Sequence, residues 1–359
     1  MIHPIIMAGG RGERFWPYSN TRHPKQLLPL VSKKTMLEDT LDNIKKFKSG
    51  LRTRLIIGKN LEKPVKELVG RKRGIEVVAE PQGRNTAAAV ALAARLIAGE
   101  DPKGVMLVLT ADHAISPPEK FAQAMEAASK LAERGDCLIT FGIKPDRPEV
   151  GYGYIERGED PREVAGLPSF AVRRFHEKPA AETAKAYLES GRFFWNSGMF
   201  AWRVDYLWEQ FRKLQPAIAK TFEAAGTLDA SSRAFPGKLR KIYSALPDLS
   251  IDNGIMEKAE SIRVLVPGFR WDDIGSWSAL DRLHAPDALG NRVVGEGLVL
   301  EGGDNTLFSD QGLVAAFGVS GLLVVQHGGV TLVLPKELAP RVKEMVKRVQ
   351  EERRLRGYL

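Results

Sequence analysis

The fold prediction starts from residues 5–30, which read IIMAGGRGERFWPYSNTRHPKQLLPL. An apolar run ends abruptly in Gly9, Gly10 and Gly12, and Lys25 follows further along the stretch. The apolar run is typical of a buried β-strand, and the glycines are typical of a tight loop whose backbone approaches another group closely. The chain is therefore predicted to begin with a strand that leads directly into a glycine loop.

Short apolar runs alternate with helical patterns through the first half of the chain. The predicted strands include PIIMAGG, RLIIG, IEVVAE, VMLVLT and CLITFGI, and the predicted helices are TMLEDTLDNIKKF, NTAAAVALAARLIAG and EKFAQAMEAASKLAERG. Thr35 and Glu38 have the spacing of a capping box, Asn85 or Thr86 is expected to cap the second helix, and Gly99 is expected to end it. This alternation predicts an α/β protein with a Rossmann-like, mixed but mostly parallel sheet flanked by helices.

The pattern changes near residue 290, where short apolar segments are punctuated by Gly, Asp and Asn. We predict a small all-β module there, followed by a terminal helix. The apolar face of that helix is expected to consist of Leu338, Val342, Met345, Val346 and Val349. The expected domains are therefore residues 1–288 and residues 289–359.

Composition excludes several classes of protein. The 359 residues carry a net charge of +9 and a single cysteine, Cys137, and they contain no apolar run long enough for a membrane span. The basic residues are spread along the chain, so we expect an anionic small molecule as the partner and neither nucleic acid nor a membrane. The cysteine usage and the lack of a signal peptide favour the cytoplasm.

The glycine loop matches neither of two common nucleotide-binding motifs. It lacks the Gly-Lys-Ser/Thr of a Walker A loop, and GGRGERF lacks the third glycine of a dinucleotide fingerprint. Exposed amides together with Arg11, Arg14 and Lys25 could hold an anion with several oxygens, such as a triphosphate. A glycine turn with surface arginines remains the alternative.

Two acidic motifs follow predicted strands. Asp112 in TADHAI comes just after a buried strand, and Asp272 and Asp273 are adjacent in WDDIGSW. One of the adjacent pair could join Asp112 on Mg²⁺, which typically takes one or two carboxylates plus phosphate oxygens. The alternative is that these aspartates cap helices. No histidine spacing suggests a zinc site, and no nucleophile motif is present.

Several motifs occur in one order and together resemble the sugar-1-phosphate nucleotidyltransferases, most closely the short bacterial mannose-1-phosphate guanylyltransferases. They are MAGGRGERFWPYS, HPKQLLPL, EPQGRNTAAAVALAA, TADHAI, FHEKP, FFWNSGMFAW, SIDNGIMEKA and WDDIGSW. The C-terminal part resembles the small left-handed β-helical module of that family. Phe15 and Thr110 stand where many relatives carry leucine and proline, and neither change removes a charge.

The resemblance implies a role for each matching residue. The implied catalytic residues are Arg14 and Lys25. The implied nucleotide-binding residues are Ala8, Gly9, Gly10, Gly12, Glu80, Arg84 and Asn85. The implied sugar-phosphate-binding residues are Gly142, Glu177, Lys178, Asn196 and Asp252. The implied ligands of Mg²⁺ are Asp112 and Asp273.

The implied reaction is GTP plus mannose 1-phosphate giving GDP-mannose plus pyrophosphate, carried out by a homodimer. Glu80 favours guanine, because a carboxylate can accept hydrogen bonds from both N1–H and the 2-amino group. Another sugar 1-phosphate or nucleotide, and a non-catalytic subunit that binds GDP-mannose and regulates a partner, remain alternatives. A nicotinamide dehydrogenase is disfavoured by the incomplete fingerprint. A fused isomerase domain is not expected within 359 residues, so we expect a single activity.

Overall fold

A computed structural model describes residues 1–10, 12–20, 23–48, 50–70 and 72–359. Their contacts divide the chain into two compact units. Unit 1 comprises Met1–Gly9, Thr40–Ala111 and Ile115–Trp271, and unit 2 comprises Gly10–Asp39, Asp112–Ala114 and Asp272–Leu359. The units are thus interleaved along the sequence, and the expected boundary after residue 288 stays a prediction. None of the described helices has the length and apolar character that crossing a membrane requires.

Among the elements up to residue 283, those of the first half of the chain follow the predicted alternation. The strands are β1 (Ile2–Ala8), β2 (Thr53–Gly58), β3 (Ile75–Glu80), β4 (Val105–Thr110), β5 (Ala114–Ser116), β6 (Leu138–Ile143), β7 (Tyr154–Arg157), β8 (Arg162–Val164), β9 (Leu167–His176), β10 (Phe193–Arg203), β11 (Ile262–Leu265) and β12 (Arg270–Asp272). The helices are α1 (Met36–Phe47), α2 (Glu62–Val69), α3 (Asn85–Ala98), α4 (Pro118–Ala132), α5 (Ala181–Ser190), α6 (Val204–Leu214), α7 (Pro216–Ala224), α8 (Phe235–Ala245) and α9 (Leu280–Leu283). Strands β7 to β9 and helices α6 to α8 follow one another without that alternation. A π-helical turn occupies Asp252–Met256.

The described part of unit 1 is built on one mixed sheet. Its strand order is β3-β2-β1-β4-β10-β6-β11-β9-β7, with β8 paired to β9. The pairings of β3, β2, β1 and β4 are parallel, and β6 pairs with β11 in parallel, whereas β10 is antiparallel to both of its neighbours in this order. Buried runs such as that of β4 suit a sheet covered on both faces. The predicted α/β class, a mixed sheet flanked by helices, is confirmed.

Helix α3 contributes many buried residues to the core of unit 1. Small side chains surround its axis, so neighbouring elements can pack on every side of it. Its residues from Ala87 to Ala94 are all buried, as is typical of a helix that is apolar all round. Its predicted N-cap is wrong, since Arg84 occupies the N-cap position without a side-chain cap, whereas Gly99 occupies the C-cap position and ends the helix as predicted. The hydroxyl of Thr86 instead accepts a hydrogen bond from the backbone N–H of Ile251, at 2.8 Å.

The long β-rich segment of unit 2 contains short strands, as predicted. They are β13 (Arg292–Val294), β14 (Gly297–Leu300), β15 (Thr306–Ser309), β16 (Val314–Phe317), β17 (Leu322–His327) and β18 (Val330–Pro335). β13, β15 and β17 are parallel neighbours, β14 pairs in parallel with β16, and β18 pairs with β17 in the antiparallel direction. This arrangement confirms the predicted all-β module.

The terminal helix α10 (Val342–Glu351) follows a 3-10 segment, Lys336–Arg341, and precedes another, Arg353–Tyr358. Val342, Val346 and Val349 are buried, which confirms the central part of the predicted apolar face. Leu338 and Met345 are exposed, so their predicted place on that face is wrong. The helix is shorter than the sequence pattern suggested, and Leu338 precedes its first turn.

Candidate functional site

The glycine loop in unit 2 lies directly against Lys25. Gly10 and Gly12 have φ values of +88° and +65°, which favour glycine. A Cβ atom on Gly12 would lie 2.6 Å from the Cβ of Lys25 and 2.9 Å from its backbone nitrogen. Gly12 is therefore required both by its backbone conformation and by the close approach of Lys25.

Hydrogen bonds fix the backbone of this loop. The carbonyl oxygen of Gly12 accepts from the hydroxyl of Ser19 at 2.6 Å and from the backbone N–H of Phe15 at 2.9 Å. The side-chain amide of Gln26 donates to the carbonyl of Gly10 at 3.4 Å. These bonds hold the carbonyl oxygens of the loop within the protein.

Arg14 lies in the short 3-10 turn Glu13–Phe15 that Gly12 begins. Its side chain is exposed, and no described residue pairs with its guanidinium. An exposed guanidinium beside a fixed loop can form a bidentate hydrogen-bonded contact with a phosphate group. Arg11, the other arginine of the loop, lies outside the described residues.

Lys25 is the buried centre of the polar cluster in unit 2, and 6% of its surface is exposed. Its ammonium group donates to the Oδ2 atom of Asp112 at 2.9 Å and to the backbone carbonyl of Asp273 at 2.6 Å. A buried ammonium needs such partners to offset its loss of hydration. The two aspartates that the resemblance assigns to the metal therefore both contact one lysine.

Asp112 is held in its charged form. Burial by itself would raise the pKa of this carboxyl, but the neighbouring charges of Lys25 and His113 and the hydrogen bond from Lys25 outweigh burial, so the pKa lies below its ordinary value. The Nε2 atom of His113 lies 3.9 Å from the Oδ1 atom of Asp112. Burial lowers the pKa of His113, and the charge of Asp112 opposes that effect. His113 was not singled out from the sequence, although it directly follows Asp112.

Asp272 and Asp273 have different environments despite being neighbours. Asp272 receives two hydrogen bonds from the guanidinium of Arg282 and one from the backbone N–H of Ile274. The carboxylate of Asp273 accepts from the backbone N–H of Gly275 at 3.0 Å. A Cβ on Gly275 would lie 2.6 Å from Oδ2 of Asp273, so glycine is needed at this position. The carboxylate of Asp272 is thus committed to Arg282.

The strained turn after Asp273 supports a functional role for this segment. Ile274 is fully buried and has a φ of +46°, a conformation that a β-branched residue rarely adopts. Such strain clusters at functional sites, where the surrounding packing enforces it.

The donor chemistry of Asp112 and Asp273 fits a hard divalent cation. Carboxylate oxygens are its preferred protein ligands, and the lowered pKa keeps Asp112 charged at neutral pH. Among the described residues, no group of three or more His, Cys, Asp and Glu side chains could hold a metal ion. A cation here would therefore need further oxygens from a bound phosphate or from water.

Glu80 ends strand β3 in unit 1 and is buried, with 9% of its surface exposed. Its Oε1 atom accepts a hydrogen bond from the hydroxyl of Tyr243 at 2.9 Å. Burial raises the pKa of Glu80 to about 7, and the hydrogen bond from Tyr243 opposes that rise. Tyr243 was missed by sequence reasoning, because 163 positions separate it from Glu80.

Arg84 and Asn85 lie where β3 connects to α3. The Nε atom of Arg84 donates to the backbone carbonyl of Tyr243 at 3.1 Å. Asn85 is exposed, has a φ of +61°, and accepts from the backbone N–H of Thr86 through Oδ1. Glu80 and Arg84 are thus brought together by Tyr243, and Asn85 lies next to Arg84 in the chain.

A second polar cluster in unit 1 centres on Asn196 and Asp252. The Nδ2 atom of Asn196 donates to Oδ1 of Asp252 at 2.8 Å, and Asn196 lies opposite Gly142 in the pairing of β10 with β6. Burial raises the pKa of Asp252, the hydrogen bond from Asn196 lowers it, and the charge of Glu177 raises it. Asp252 begins the π-helical turn, a rare conformation that is frequent at functional sites.

Glycines make room for this second cluster. A Cβ on Gly142 would lie 2.4 Å from a methyl group of Val264, so this glycine is needed for packing between strands. A Cβ on Gly153 would lie 2.9 Å from Oε2 of Glu177. Gly153 was not among the predicted site residues, although it lies in the GYGY motif.

Lys178 follows Glu177, and the two exposed side chains form an ion pair of 2.8 Å. Lys178 has a φ of +41°, which turns the chain sharply after β9. Unit 1 therefore brings Asn196, Asp252 and Glu177 together, with Gly142 beside Asn196 and Lys178 beside Glu177.

The glycine-loop segment also packs against the C-terminal module within unit 2. The indole N–H of Trp16 donates to the carbonyl of Tyr358 at 2.8 Å, and that of Trp277 donates to the carbonyl of Trp16 at 3.0 Å. The ring centroid of Tyr18 lies 4.7 Å from that of Phe308. The sequence predicts a purely structural module whose removal leaves the site residues in place. These contacts bring the module against the segment carrying Arg14 and Lys25, and the effect of removing it stays a prediction.

These features define an α/β protein with a glycine loop, a buried lysine and paired aspartates, and the chain belongs to the nucleotidyl transferase family. The model of that family, nucleotidyl transferase, matches residues 3–288. The model of the mannoseP isomerase/GMP-like β-helix domain matches residues 295–349, which agrees with the β-helix-like module predicted there. Enzymes of the nucleotidyltransferase class generally use a divalent metal ion.

The names of the similar proteins are more specific than the name of the family. The mannose-1-phosphate guanylyltransferase of Escherichia coli is 38% identical over 99% of this chain and 75% of its own length. That of Salmonella montevideo is 39% identical over 99% of this chain and 75% of its own length. The resemblance predicted from the motifs is confirmed.

A solved structure agrees with these relatives. The crystal structure of the mannose-1-phosphate geranyltransferase from Thermus thermophilus matches with a TM-score of 0.87 and 38% identity. The match covers 97% of this chain and 99% of that one. The chain is an enzyme of the nucleotidyltransferase class.

Proposed function

We propose that this chain transfers GMP from GTP to α-D-mannose 1-phosphate, giving GDP-mannose and pyrophosphate. The observation that carries the proposal is the cluster at Lys25, whose buried ammonium contacts Asp112 and Asp273 and whose backbone and Cβ lie against the loop glycine Gly12. Fixed positive charge beside a rigid backbone loop suits a triphosphate. The names of the curated relatives support this choice of substrates.

The reaction requires positioning and charge neutralisation. A phosphate oxygen of mannose 1-phosphate attacks the α-phosphorus of GTP, a new P–O bond forms, and the bond to the bridging oxygen of the β-phosphate breaks. Pyrophosphate leaves with the electron pair of that bond. Because the attacking oxygen is already anionic, no covalent nucleophile or general base from the protein is needed. The barrier comes from the approach of two polyanions, which preorganised cations lower.

The residues of unit 2 act on the phosphates in this proposal. Arg14 donates to the phosphate oxygens that gain charge as pyrophosphate leaves, and Lys25 holds phosphate groups of the substrates. Gly10 and Gly12 of the glycine loop present backbone N–H groups to the triphosphate, and so do Ala8 and Gly9, which end the first segment of unit 1.

Asp112 and Asp273 would hold Mg²⁺ in the same proposal. When bound, the ion would neutralise part of the charge on the phosphate oxygens. The charged state of Asp112 and the fixed backbone around Asp273 support this assignment.

The residues of unit 1 recognise the base and the sugar phosphate in this proposal. Glu80, Arg84 and Asn85 bind guanine, with the carboxylate of Glu80 accepting from N1–H and the 2-amino group. The sugar phosphate is bound by Gly142, Glu177, Lys178, Asn196 and Asp252. A buried amide and carboxylate with spare hydrogen-bonding capacity suit sugar hydroxyls.

We also propose that the protein is cytoplasmic, binds neither nucleic acid nor a membrane, and forms a homodimer. Its single described cysteine is buried and free, which suits a reducing compartment. Exposed apolar side chains on strands β14 and β16 support the dimer.

The deciding experiment is a panel of nucleoside triphosphates against sugar 1-phosphates with Mg²⁺, followed by pyrophosphate release. We expect release with GTP and mannose 1-phosphate and none when the sugar phosphate is left out. Faster release with another pair would reassign the substrates. A protein that binds GDP-mannose but releases no pyrophosphate with any pair would be the regulatory subunit.

A further inference from the structure

Tyr243 contacts three residues of the segment that joins β3 to α3, although it lies in a separate helix, α8. Its hydroxyl donates to Oε1 of Glu80 at 2.9 Å. Its backbone carbonyl accepts from the Nε2 atom of Gln82 at 2.7 Å and from the Nε atom of Arg84 at 3.1 Å. One residue thus holds both a buried carboxylate and the turn that follows it.

The position of Tyr243 at the end of α8 explains why its carbonyl is available. The helix ends at Ala245, so the carbonyl of Tyr243 belongs to the last turn, where its backbone partner is the N–H of the C-cap residue Leu246 at 3.4 Å. A carbonyl oxygen has two lone pairs, and its position at the helix end leaves it open to side-chain donors as well. Helix C-termini carry partial negative charge, which favours a guanidinium such as that of Arg84. The backbone of Tyr243 therefore anchors the turn independently of its side chain.

The hydroxyl of Tyr243 contacts a different group, the carboxylate of Glu80. Glu80 and Tyr243 are both buried, and no other described residue forms a hydrogen bond with the Glu80 carboxylate. A phenol that donates to one carboxylate oxygen restricts rotation of the whole group and leaves the second oxygen for a ligand. Oε1 retains a further lone pair, so both oxygens can still accept.

We propose that Tyr243 is a positioning residue for base selection, whose hydroxyl fixes the Glu80 carboxylate in the orientation that accepts from N1–H and the 2-amino group of guanine. The inference rests on the proposed function, in which Glu80 recognises the guanine base by hydrogen bonds. It adds that guanine selectivity depends on a hydroxyl in a helix far away in the sequence.

The charges around Glu80 determine how this role depends on pH. Burial raises the pKa of Glu80 to about 7, and the Tyr243 hydrogen bond lowers it. The pKa of Tyr243 is raised well above 10 by burial and by the charge of Glu80, so the hydroxyl remains a donor. Gly58, opposite Glu80 on β2, adds no charge, and Arg84 reaches the carbonyl of Tyr243. Loss of the hydroxyl should therefore raise the pKa of Glu80 further.

The test is Tyr243→Phe, which keeps the ring and the backbone carbonyl and removes only the hydroxyl. We expect the KM for GTP to rise about tenfold near pH 6.5, the loss typical of one hydrogen bond to a charged group, and to rise less near pH 8.5, where Glu80 is ionised. The preference for GTP over ITP, which lacks the 2-amino group, should fall. The KM for mannose 1-phosphate should stay within about twofold of the wild-type value.

Two further variants make the result decisive. Tyr206→Phe, a matched change in helix α6, should leave the GTP profile unchanged. Glu80→Gln should abolish the pH dependence of the KM for GTP between about pH 6 and pH 8, because the titrating group is gone. Persistence of that dependence in Glu80→Gln would overturn the proposal even if Tyr243→Phe did not fold.

The outcomes separate this inference from the proposed function. A folded Tyr243→Phe enzyme with the wild-type pH profile and the wild-type preference for GTP over ITP would overturn the role of Tyr243 alone. An equal loss at every pH, with selectivity unchanged, would indicate a structural role and would also overturn it. A wild-type enzyme that uses no GTP would overturn the proposed function itself, and this inference with it.

Discussion

Lys25 shows how one buried side chain can organise several acidic groups. Its ammonium lies within hydrogen-bond distance of the Asp112 carboxylate and of the Asp273 backbone carbonyl. Neither contact involves the Asp273 carboxylate, which accepts from the backbone N–H of Gly275. The lysine therefore fixes the backbone at Asp273 and leaves both carboxylates with acceptor capacity for a cation.

Arg14 provides the first prediction at this scale. Arg14→Ala should keep the fold, because the side chain is exposed, and should depress turnover about 100- to 1,000-fold, the usual cost of one preorganised donor to developing charge. Steady-state pyrophosphate release measures the loss, and a melting curve checks the fold. Lys33→Ala, which removes an exposed charge from the same unit, is the control. Turnover near wild type in folded Arg14→Ala would exclude this role.

The acidic residues provide the second prediction. Asp112→Asn and Asp273→Asn should each raise the Mg²⁺ concentration needed for half-maximal activity, because a hard cation binds a neutral amide less well. Asp272→Asn is the matched control. Its carboxylate is bound to Arg282, so its loss should lower stability more than it changes the Mg²⁺ requirement. If Asp272→Asn alone raises that requirement, the metal has been assigned to the wrong neighbour.

At the scale of elements, the glycine-loop segment and the C-terminal module share one hydrophobic cluster. Phe15, Trp16, Trp277, Phe308 and Val346 are among its buried members. The centroids of Phe15 and Trp277 lie 5.2 Å apart, and those of Trp277 and Phe308 lie 4.9 Å apart. The module thus packs against the segment that carries Arg14 and Lys25.

The third prediction concerns the end of the chain. Removal of residues 353–359, or Trp16→Phe, breaks the hydrogen bond between the Trp16 indole and the Tyr358 carbonyl. One hydrogen bond contributes about 0.5–1.5 kcal/mol, so kcat/KM for GTP should fall about two- to tenfold. Lys343→Ala, an exposed change on α10, should have no effect. Wild-type kinetics in both altered proteins would show that the contact does not support the loop.

At the scale of the whole molecule, the exposed apolar residues of strands β14 and β16 bear on how copies of the chain assemble. Leu298 and Leu300 on β14 and Phe317 on β16 are each more than half exposed. Leu300 lies directly opposite Phe317 in the parallel pairing of these strands. Contiguous apolar surface of this kind is typical of a protein–protein interface, and we expect a second copy of the chain to cover it.

The fourth prediction follows from that surface. Sedimentation at micromolar concentration should give a homodimer, about twice the chain mass of 39.7 kDa. Phe317→Glu should shift the protein toward the monomer, because a charge would be buried in the interface. Met345→Glu places the same charge on an exposed apolar position of α10 and should leave the dimer intact. A wild-type protein that sediments as a monomer would contradict the dimer.

Local patterns were sufficient for much of the fold. The capping box at Thr35 and Glu38 forms as predicted, with the Thr35 backbone N–H donating to Glu38 at 3.1 Å and the Glu38 N–H donating to the Thr35 hydroxyl at 3.3 Å. The N-cap prediction failed at α3, where a distant group, the N–H of Ile251, donates to the Thr86 hydroxyl. A capping signal is reliable only where no tertiary partner competes for the side chain.

The sequence by itself determined the alternation of strands and helices, the glycine loop and the residue types of the site, because these depend on neighbours in the chain. Only the tertiary structure decided their partners. Lys25 meets Asp273 across 248 positions, and Glu80 meets Tyr243 across 163. Periodicity reports which face of an element is buried, but it carries no information on which distant polar group that face will meet. Long-range packing therefore decided the lowered pKa of Asp112, the surroundings of Glu80 and the contacts of the glycine-loop segment with the C-terminal module.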